Sequence, residues 1–176
     1  MHTQLIVRRA GPRDLPGVTH LVAGFRDLLG RERPTRSEIA RRLERLHADP
    51  AVTLGVAAAG PELLGYALQR RHLSLWAGGG AAVLEDLFVA EPARRRGIGR
   101  RLLEHAIGEA RSAGSTALSL DTSESDAAST ALYSGLGFSC ERAGRTVGRR
   151  LRYDLRLADE PPPDTGIHWG PWMLKW

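Results

Sequence analysis

Apolar residues in the first quarter of the chain recur at helical spacing. After a short β-rich run at 4–10, they fall three or four residues apart from Pro12 to Leu29, which predicts a strand followed by an amphipathic helix. Thr35 precedes Glu38 by three residues, so each side chain can satisfy the backbone amide of the other residue. This capping box predicts a second helix that runs to about Leu46.

The next part of the chain has the composition of β-strands. Two β-like runs lie at 51–59 and 63–75, and a third apolar, β-rich run lies at 82–90. The pair Gly60-Pro61 separates the first two runs, and such a pair marks a turn. A hairpin or a meander is therefore predicted in this region.

From Ile98 the apolar positions again follow one helix face, and Gly114 is placed to end that helix. A strand at 116–122 comes next. The order of strand, helix and strand predicts a βαβ unit with parallel strands and a right-handed crossover. A further helix at 126–136 and a last strand at 146–157 complete a mixed α/β domain.

These elements indicate a single domain at residues 1–157. Residues 158–176 carry three consecutive prolines and no periodicity, which is typical of a linker and a tail. The tail also holds three of the four tryptophans, which favours docking onto a second subunit or across an acceptor cleft. A disordered terminus is the alternative.

The chain has 176 residues, of which 42 % are hydrophobic and 26 % are charged, and this composition is typical of one globular domain. No apolar run approaches the roughly 20 residues of a membrane span, and the first residues lack the pattern of a secretory signal. We expect a cytoplasmic protein without membrane contact. The single cysteine, Cys140, excludes an internal disulfide and a cysteine-based metal cluster, and we expect it to be a small core residue.

The net charge of +5 raises the question of a nucleic-acid partner. Only Lys175 is a lysine, and most of the arginines are scattered along the chain, so we expect no nucleic-acid binding. One dense local cluster remains, and its density indicates a specific anion. The cluster consists of Arg94, Arg95, Arg96, Arg100 and Arg101.

This cluster stands where the helix of the predicted βαβ unit begins. The first turn of such a helix presents backbone amides and the positive end of the helix dipole. Gly97 and Gly99 have no Cβ, so an anion could contact the main chain there. No Gly-Lys-Ser/Thr follows, which excludes a P-loop, and the third glycine of the dinucleotide fingerprint is missing. The spacing alone leaves two interpretations open, a pyrophosphate site and an ordinary solvated helix start.

The stretch LEDLFVAEPARRRGIGRRLLEHA, residues 84–106, resembles the acyl-CoA-binding motif of the GNAT family of N-acetyltransferases. The stretch DAASTALYSGLGF, residues 126–138, is similar to a second motif of that family. The resemblance implies the GNAT fold, an α/β architecture whose mixed, mostly antiparallel sheet contains a parallel splayed pair and is flanked by helices. It also implies an acetyltransferase that uses acetyl-CoA as co-substrate and needs no metal.

The resemblance further implies which residues bind acetyl-CoA. Main-chain groups of Leu87, Phe88 and Val89 would bind the pantetheine arm in the manner of an added strand. Asp126 and Ser129 stand where the family often has asparagine and alanine, and they are expected to contact the same arm. The pyrophosphate would be bound by the loop residues Arg94, Arg95, Arg96, Gly97, Ile98, Gly99 and Arg100.

An amine must be neutral before it attacks a thioester, and the pKa of a free alkylamine is about 10.4. The resemblance implies that Glu85 takes the proton of the amine and that Tyr133 protonates the leaving thiolate. Asp86 would then face the other side of the strand. Without the resemblance, Glu85 is interpreted as a carboxylate on a half-exposed strand, and Tyr133 as a core aromatic residue.

The stretch HLSLWAGGGAAVLEDLFV, residues 72–89, is similar to the diamine acetyltransferase branch of the family. This similarity implies a small-molecule amine acceptor, such as a polyamine, whose charges are bound by Asp27, Glu32 and Asp86. Trp76 would add a cation–π contact. The alternatives are acetylation of an antibiotic or of a protein N-terminus, and a non-catalytic acyl-CoA sensor. A homodimer is expected at the level of the family.

Overall fold

The computed structural model describes residues 4–75, 78–123, 126–141 and 150–157. The helices of this part of the chain are α1 (Leu15–Leu28), α2 (Arg36–Ala48), α3 (Ile98–Ser112) and α4 (Ala127–Ser134). Short 3-10 helices lie at Pro12–Asp14 and Glu91–Ala93. The strands are β1 (Leu5–Arg9), β2 (Val52–Ala59), β3 (Glu62–Ser74), β4 (Gly79–Val89), β5 (Ser115–Ser123), β6 (Ser139–Glu141) and β7 (Arg150–Arg156).

The chain forms two compact units. The first consists of the residues up to Arg71 together with Leu84–Glu109, and the second consists of His72–Val83 together with the residues from Ala110 onward. Strand β4 therefore contributes its second half to the first unit and its first half to the second unit.

The strands of the first unit follow the order β1-β2-β3-β4. β1 is antiparallel to β2, with Leu5 opposite Ala59, and β2 is antiparallel to β3, with Val52 opposite Arg70. The connection between β2 and β3 contains Gly60, whose φ of 60° lies in the left-handed region that favours glycine. The predicted hairpin is therefore confirmed.

Helices α1 and α2 bury their apolar faces in the core of the first unit, because their leucine, valine and isoleucine residues recur at helical spacing. The close approach of β3 to the end of β4 depends on Gly65. A Cβ at Gly65 would lie 2.6 Å from the carbonyl oxygen of Phe88 and 3.1 Å from Cδ1 of Leu102 on α3. The core cluster consists of Ala10, Val18, Leu21, Ala23, Ile39, Leu43, Leu54, Val56, Tyr66, Leu68 and Phe88.

The strands of the second unit follow the order β4-β5-β7-β6. β7 is antiparallel to both of its neighbours, and Tyr153 stands opposite Leu120 of β5 and Cys140 of β6. β4 and β5 are parallel, and the Thr116 hydroxyl donates a hydrogen bond to the Gly80 carbonyl at 3.1 Å. A parallel pair beside antiparallel strands makes the sheet mixed, as predicted.

Cys140 is exposed on β6, so the expectation that it is a core residue is wrong. β6 has only three residues and stands at the end of the strand order. A short edge strand has a neighbour on one side only, and its side chains are accordingly less covered. The local sequence around Cys140 contains no indication of this edge position.

The helix boundaries agree with the sequence to within a few residues. The helix predicted from Pro12 begins as a 3-10 helix and continues as α1 from Leu15. The capping box is confirmed, since Thr35 Oγ1 accepts from the Glu38 amide at 3.3 Å and Glu38 Oε2 accepts from the Thr35 amide at 2.7 Å. Gly114 follows α3 with a φ of 75°, as expected for a residue that ends a helix.

None of the helices in the described ranges combines the length and the apolar composition that a membrane crossing requires. In the same ranges, no group of three histidine, cysteine, aspartate or glutamate residues is arranged to hold a metal ion. The predicted tail at 158–176 and residues 146–149 of the last predicted strand lie outside the described residues.

Asp14 connects β1 to the first helical turn. Its carboxylate accepts hydrogen bonds from both terminal nitrogens of Arg8, at 2.6 and 2.9 Å, and from the Gly11 amide at 2.7 Å. The Arg8 hydrogen bond lowers the pKa of Asp14, whose side chain is only 13 % exposed. We expect Asp14→Asn to lower the free energy of unfolding by about 1 kcal/mol at neutral pH, because charge-assisted hydrogen bonds are lost.

The loss of unfolding free energy in Asp14→Asn should depend on pH. A carboxyl group with a lowered folded pKa stabilises the fold above its unfolded pKa, about 3.9, and loses this contribution as the pH falls through the folded value. Urea unfolding at several pH values should therefore show the full difference at neutral pH and a shrinking difference in acid. Asp27→Asn is the control, because Asp27 is 63 % exposed beside Arg26 and such a pair contributes about 0–1 kcal/mol. An equal, pH-independent loss in both variants would contradict this prediction.

Candidate active site

The loop that precedes α3 carries the predicted arginine and glycine residues. Gly97 adopts a φ of 74°, and a Cβ placed there would meet no atom within 4 Å. Arg95 adopts a φ of 61°, a conformation that is costly for a residue with a side chain. α3 then begins at Ile98, and the backbone amides of its first turn have no intrahelical partners. The loop is therefore suited to an anion.

Hydrogen bonds hold one arginine of this loop and one of the first turn of α3 in place. Arg94 Nε donates to the Val89 carbonyl at 3.1 Å, and its guanidinium carbon lies 5.8 Å from the centre of the Phe88 ring. Arg100 Nε donates to Glu104 at 2.9 Å. Each of these bonds uses one of the five N–H donors of a guanidinium group, which leaves others for a phosphate-like anion. The exposed arginines around the loop are Arg94, Arg95, Arg96, Arg100 and Arg101.

Glu85 lies on β4 in an ion-pair network of the first unit. Glu85 Oε1 accepts from Arg70 Nε at 3.1 Å, and Nη1 of the same guanidinium group donates to Asp49 at 2.9 Å. The network holds the Glu85 carboxylate in a defined position while it remains exposed. Arg70 and Asp49 could not be predicted from the sequence, because Arg70 lies 15 residues from Glu85 and 21 residues from Asp49. No local motif relates positions that far apart.

Asp86 follows Glu85 on β4 but has a different partner. The Tyr66 hydroxyl donates to Asp86 Oδ2 at 3.4 Å, and Tyr66 is buried in the core. Burial raises the pKa of Asp86, the Tyr66 hydrogen bond lowers it, and the negative charge of Glu85 raises it further. Burial also raises the pKa of Tyr66, so its phenol stays protonated and remains a donor. The two neighbouring carboxylates thus occupy different environments.

A cavity of about 150 Å³ lies beside Asp86 within the first unit. Tyr66 lines the cavity next to Asp86, and Arg42 of α2 lines it as an exposed residue. Most of the remaining wall is apolar and comes from α1, α2, β2 and β3. These apolar residues are Val22, Ile39, Leu43, Leu46, Leu54 and Leu68. The cavity could not be predicted from the sequence, because its residues are spread over five elements and the loop before α2.

Tyr133 lies on α4 in the second unit and is buried. Its ring packs against Phe138 at 6.0 Å and against Tyr153 at 5.4 Å between ring centres. Burial raises the pKa of Tyr133, and the negative charge of Asp126 raises it further. The hydroxyl therefore stays protonated over the physiological pH range, as a proton donor must. The ring contacts also match the alternative interpretation of Tyr133 as a core residue.

Asp126 and Ser129 form the start of α4. Asp126 Oδ1 accepts from the Ser129 amide at 3.0 Å, and Asp126 Oδ2 accepts from the Ser129 hydroxyl at 2.6 Å. Asp126 is therefore the N-cap residue of the helix that carries Tyr133. The sequence predicted these two residues as pantetheine contacts and did not identify the cap.

The predicted acceptor residues lie at separate places. Asp27 and Glu32 are exposed at the end of α1 and in the connection after it. Asp27 Oδ1 accepts hydrogen bonds from Arg26 at 2.6 and 2.8 Å, so an arginine already pairs with its charge. Of the predicted acceptor residues, Asp86 lines the cavity. Trp76 lies outside the described residues.

The predicted residues divide between the two units. The first unit contains the carboxylates of β4, the backbone of Leu87, Phe88 and Val89, and the arginine-glycine loop. The second unit contains Asp126, Ser129 and Tyr133. Phe88 is buried against Phe25 and Tyr66, which anchors the end of β4 in the first unit. A strand carboxylate followed by an arginine-glycine helix start is the arrangement that the resemblance to the GNAT motifs implies for an acyl-CoA site.

Comparison with known proteins gives the family. A sequence model of the Acetyltransferase (GNAT) family matches residues 21–138. The chain belongs to the GNAT family, and it is an acetyl-CoA-dependent N-acetyltransferase. The fold predicted from the two motifs is confirmed.

Two similar proteins are named after different acceptors. The chain is 36 % identical over 106 residues to the aminoglycoside N(6')-acetyltransferase type 1 of Klebsiella aerogenes, and the match covers 59 % of this chain and 70 % of that protein. It is 45 % identical over 58 residues to the ribosomal protein bS18-alanine N-acetyltransferase of Salmonella typhimurium, with 33 % of this chain and 39 % of that protein covered. Neither relative is named as a diamine acetyltransferase.

Among solved structures, yncA of Salmonella typhimurium was determined with its cofactor acetyl-CoA. It matches 92 % of this chain and 98 % of its own chain with a TM-score of 0.69 and 21 % sequence identity. At this level of sequence identity, the similarity shows a shared fold only.

Proposed function

We propose that this protein transfers the acetyl group of acetyl-CoA directly to a primary amine of a small molecule. Acetyl-CoA supplies the acetyl group as a thioester. A carbon–nitrogen bond forms and the carbon–sulfur bond breaks. An acceptor that starts as an ammonium group loses two protons, of which one is released to solvent and the other balances the proton that the leaving thiolate gains. The observation that carries the proposal is the left-handed glycine of an arginine-rich loop at the start of α3, which follows a strand with a defined carboxylate.

The loop fits the pyrophosphate of acetyl-CoA in three respects. The open space at Gly97 allows phosphate oxygens to reach the main chain. The first amides of α3, from Ile98 through Gly99 and Arg100, offer donors and the positive end of the helix dipole. The exposed arginines add charge-assisted hydrogen bonds. The main chain of Leu87, Phe88 and Val89 would bind the pantetheine arm on the approach to this loop.

Glu85 is the proposed base. Its carboxylate is exposed, and Arg70 holds it in position through a 3.1 Å hydrogen bond. An exposed carboxylate can accept the proton of an ammonium group directly or through one water molecule and then release it to solvent. The amine that remains has a lone pair for attack on the thioester.

Tyr133 is the proposed acid, and α4 positions it. The Asp126 cap fixes the beginning of α4, because its carboxylate accepts hydrogen bonds from both the amide and the hydroxyl of Ser129. Asp126 and Ser129 would therefore act on Tyr133 in addition to the predicted contacts with pantetheine. Because burial keeps the phenol protonated, it can donate a proton to the thiolate at neutral pH.

Different similarities of this chain point to different acceptors. A polyamine would use Asp27, Glu32, Asp86 and Trp76, as the similarity of residues 72–89 implies. The names of the two curated relatives favour an aminoglycoside or a protein N-terminus instead. All of these acceptors present a primary amine, so the chemistry at Glu85 and Tyr133 is the same for each. A homodimer and a cytoplasmic location remain predictions of the sequence.

Acetyl transfer can be tested with a pooled amine panel. Purified protein is incubated with acetyl-CoA and polyamines, amino acids, aminoglycosides and N-terminal peptides, and products are identified by mass spectrometry while CoA release is followed. We expect an acetylated amine in an amount that matches the released CoA. If acetyl-CoA binds but CoA release equals that of the protein-free control, the proposed transfer is wrong.

Tyr133→Phe should lower kcat about 10- to 100-fold, because general acid catalysis typically contributes about 10²–10⁴-fold and water replaces the phenol in part. The affinity for acetyl-CoA should change less than about twofold, since the ring remains in its contacts with Phe138 and Tyr153. Tyr153→Phe is the matched control, because it removes a hydroxyl from the same aromatic cluster. An equal loss of kcat in both variants would indicate that Tyr133 acts by packing.

A further inference from the structure

The cavity beside Asp86 has one carboxylate, one guanidinium group and an otherwise largely apolar wall. Its volume is about 150 Å³, and an apolar cavity of about this size accommodates a benzene-sized molecule. Four of its apolar residues are buried, so the wall is part of the rigid core. These residues are Ile39, Leu43, Leu54 and Leu68.

We infer that this cavity selects the acceptor and receives a singly charged amine that carries one compact apolar group. The inference rests on the proposed acetyl transfer and narrows its acceptor class. Asp86 would bind the ammonium group, and the apolar group would occupy the space between α2 and the strands. The product is a neutral amide, which no longer pairs with Asp86 and is therefore released more easily.

The charges around the cavity disfavour a polyamine. Asp86 can bind one ammonium group, and Tyr66 supports it by donating to Oδ2. A second positive charge would meet Arg42, which lines the same cavity and is exposed. Asp27, the carboxylate predicted to bind a second charge, is already paired with Arg26 at 2.6 Å. A polycation would therefore gain one ion pair and encounter one like charge.

The apolar wall disfavours an aminoglycoside. Hydroxyl and ammonium groups on every ring would leave water and face leucine and isoleucine side chains, which cannot form hydrogen bonds with them. Burying polar groups without partners is unfavourable. A branched alkyl group or a phenyl group instead gains free energy when the cavity removes it from water.

The test compares amines that differ in charge and in apolar group. We expect kcat/KM for 3-methylbutylamine to exceed the values for spermidine and kanamycin at least tenfold. We also expect it to exceed the value for ethylamine, which has the same charge but lacks the branched group. A preference for spermidine or kanamycin over 3-methylbutylamine would overturn the inference and leave the acetyl transfer intact.

Leu46→Phe tests the cavity itself. Leu46 is only half-buried at the cavity wall, so the larger ring can enter the cavity with little disturbance of the core. KM for 3-methylbutylamine should rise at least tenfold and by a clearly larger factor than KM for ethylamine, which lacks the branched group. Leu28→Phe is the matched control, because Leu28 is 60 % exposed on α1, and it should change neither value. If the ratio of the KM values for the two amines is the same in Leu46→Phe as in the wild-type protein, the inference is contradicted.

Asp86→Asn is the second variant and keeps the shape of the side chain. It should raise KM for both singly charged amines at least tenfold, since the charge that binds their ammonium group is lost. KM for acetyl-CoA should remain within twofold. Unchanged amine KM values would show that Asp86 does not bind the acceptor.

A binding measurement separates this inference from the proposed function. Saturation-transfer NMR detects 3-methylbutylamine on the protein without any turnover. Binding that is reduced in Leu46→Phe but not in Leu28→Phe would support the cavity even if no amine is acetylated. If 3-methylbutylamine does not bind the wild-type protein, the inference is wrong, whatever the transferase assay shows.

Discussion

Glu85→Gln should lower kcat about 100-fold or more, because general base catalysis typically contributes about 10²–10⁴-fold. Glutamine has nearly the shape of glutamate and can still accept a hydrogen bond from Arg70, but it cannot take a proton from an ammonium group. The fold should be unaffected. Glu85 and Arg70 are both partly exposed, and such ion pairs contribute about 0–1 kcal/mol.

Steady-state kinetics with a saturating amine measure the loss of kcat. A thermal unfolding curve measures whether the stability of the fold is unchanged. Glu62→Gln is the matched control, since Glu62 is an exposed carboxylate at the start of β3. It should retain the wild-type kcat. A Glu85→Gln enzyme with more than a third of the wild-type kcat would show that another group removes the proton.

Gly97→Ala should weaken acetyl-CoA binding about 10- to 100-fold. Part of the loss is strain, because a left-handed conformation costs an L-residue about 1–2 kcal/mol. The larger part comes from the methyl group, which would occupy the open space at Gly97 that we assign to the pyrophosphate oxygens. Each tenfold loss of affinity corresponds to about 1.4 kcal/mol.

Gly114→Ala is the control that separates the effect of backbone strain from the effect of the methyl group on acetyl-CoA binding. Gly114 follows the same helix with a φ of 75°, against 74° for Gly97, and a Cβ there would also meet no atom within 4 Å. Both variants should therefore lose similar stability in urea unfolding. Calorimetric titration with acetyl-CoA should detect weaker binding in Gly97→Ala alone. Equal affinities of the two variants for acetyl-CoA would show that the Gly97 loop does not bind the pyrophosphate.

Much of the first unit could be predicted from local sequence. The capping box at Thr35 and the turn at Gly60 depend on a few neighbouring residues, and both are present in the structure. The arginine-glycine loop is also a local pattern, so its place at the start of α3 followed from the strand before it and the helix after it. Such features are decided by hydrogen bonds and backbone conformations within about one turn of the chain.

Features that depend on distant residues could not be predicted in this way. Cys140 is exposed because β6 is a short edge strand, and edge position depends on the order of all the strands. Asp126 and Ser129 matched a cofactor motif by position, yet they also cap α4. The sequence pattern alone did not reveal this second role.

The sequence by itself indicated the reaction class of this protein, because residues 84–106 and 126–138 resemble two motifs of the GNAT family. Each motif consists of consecutive residues, so its identity and spacing do not depend on the fold. Only the tertiary structure decided the surroundings of the carboxylates. Packing of α1 and α2 against three strands forms the cavity, places Asp86 beside Tyr66 and leaves Glu85 with Arg70. Those contacts join residues that are far apart in the chain, and only the packed core brings them together.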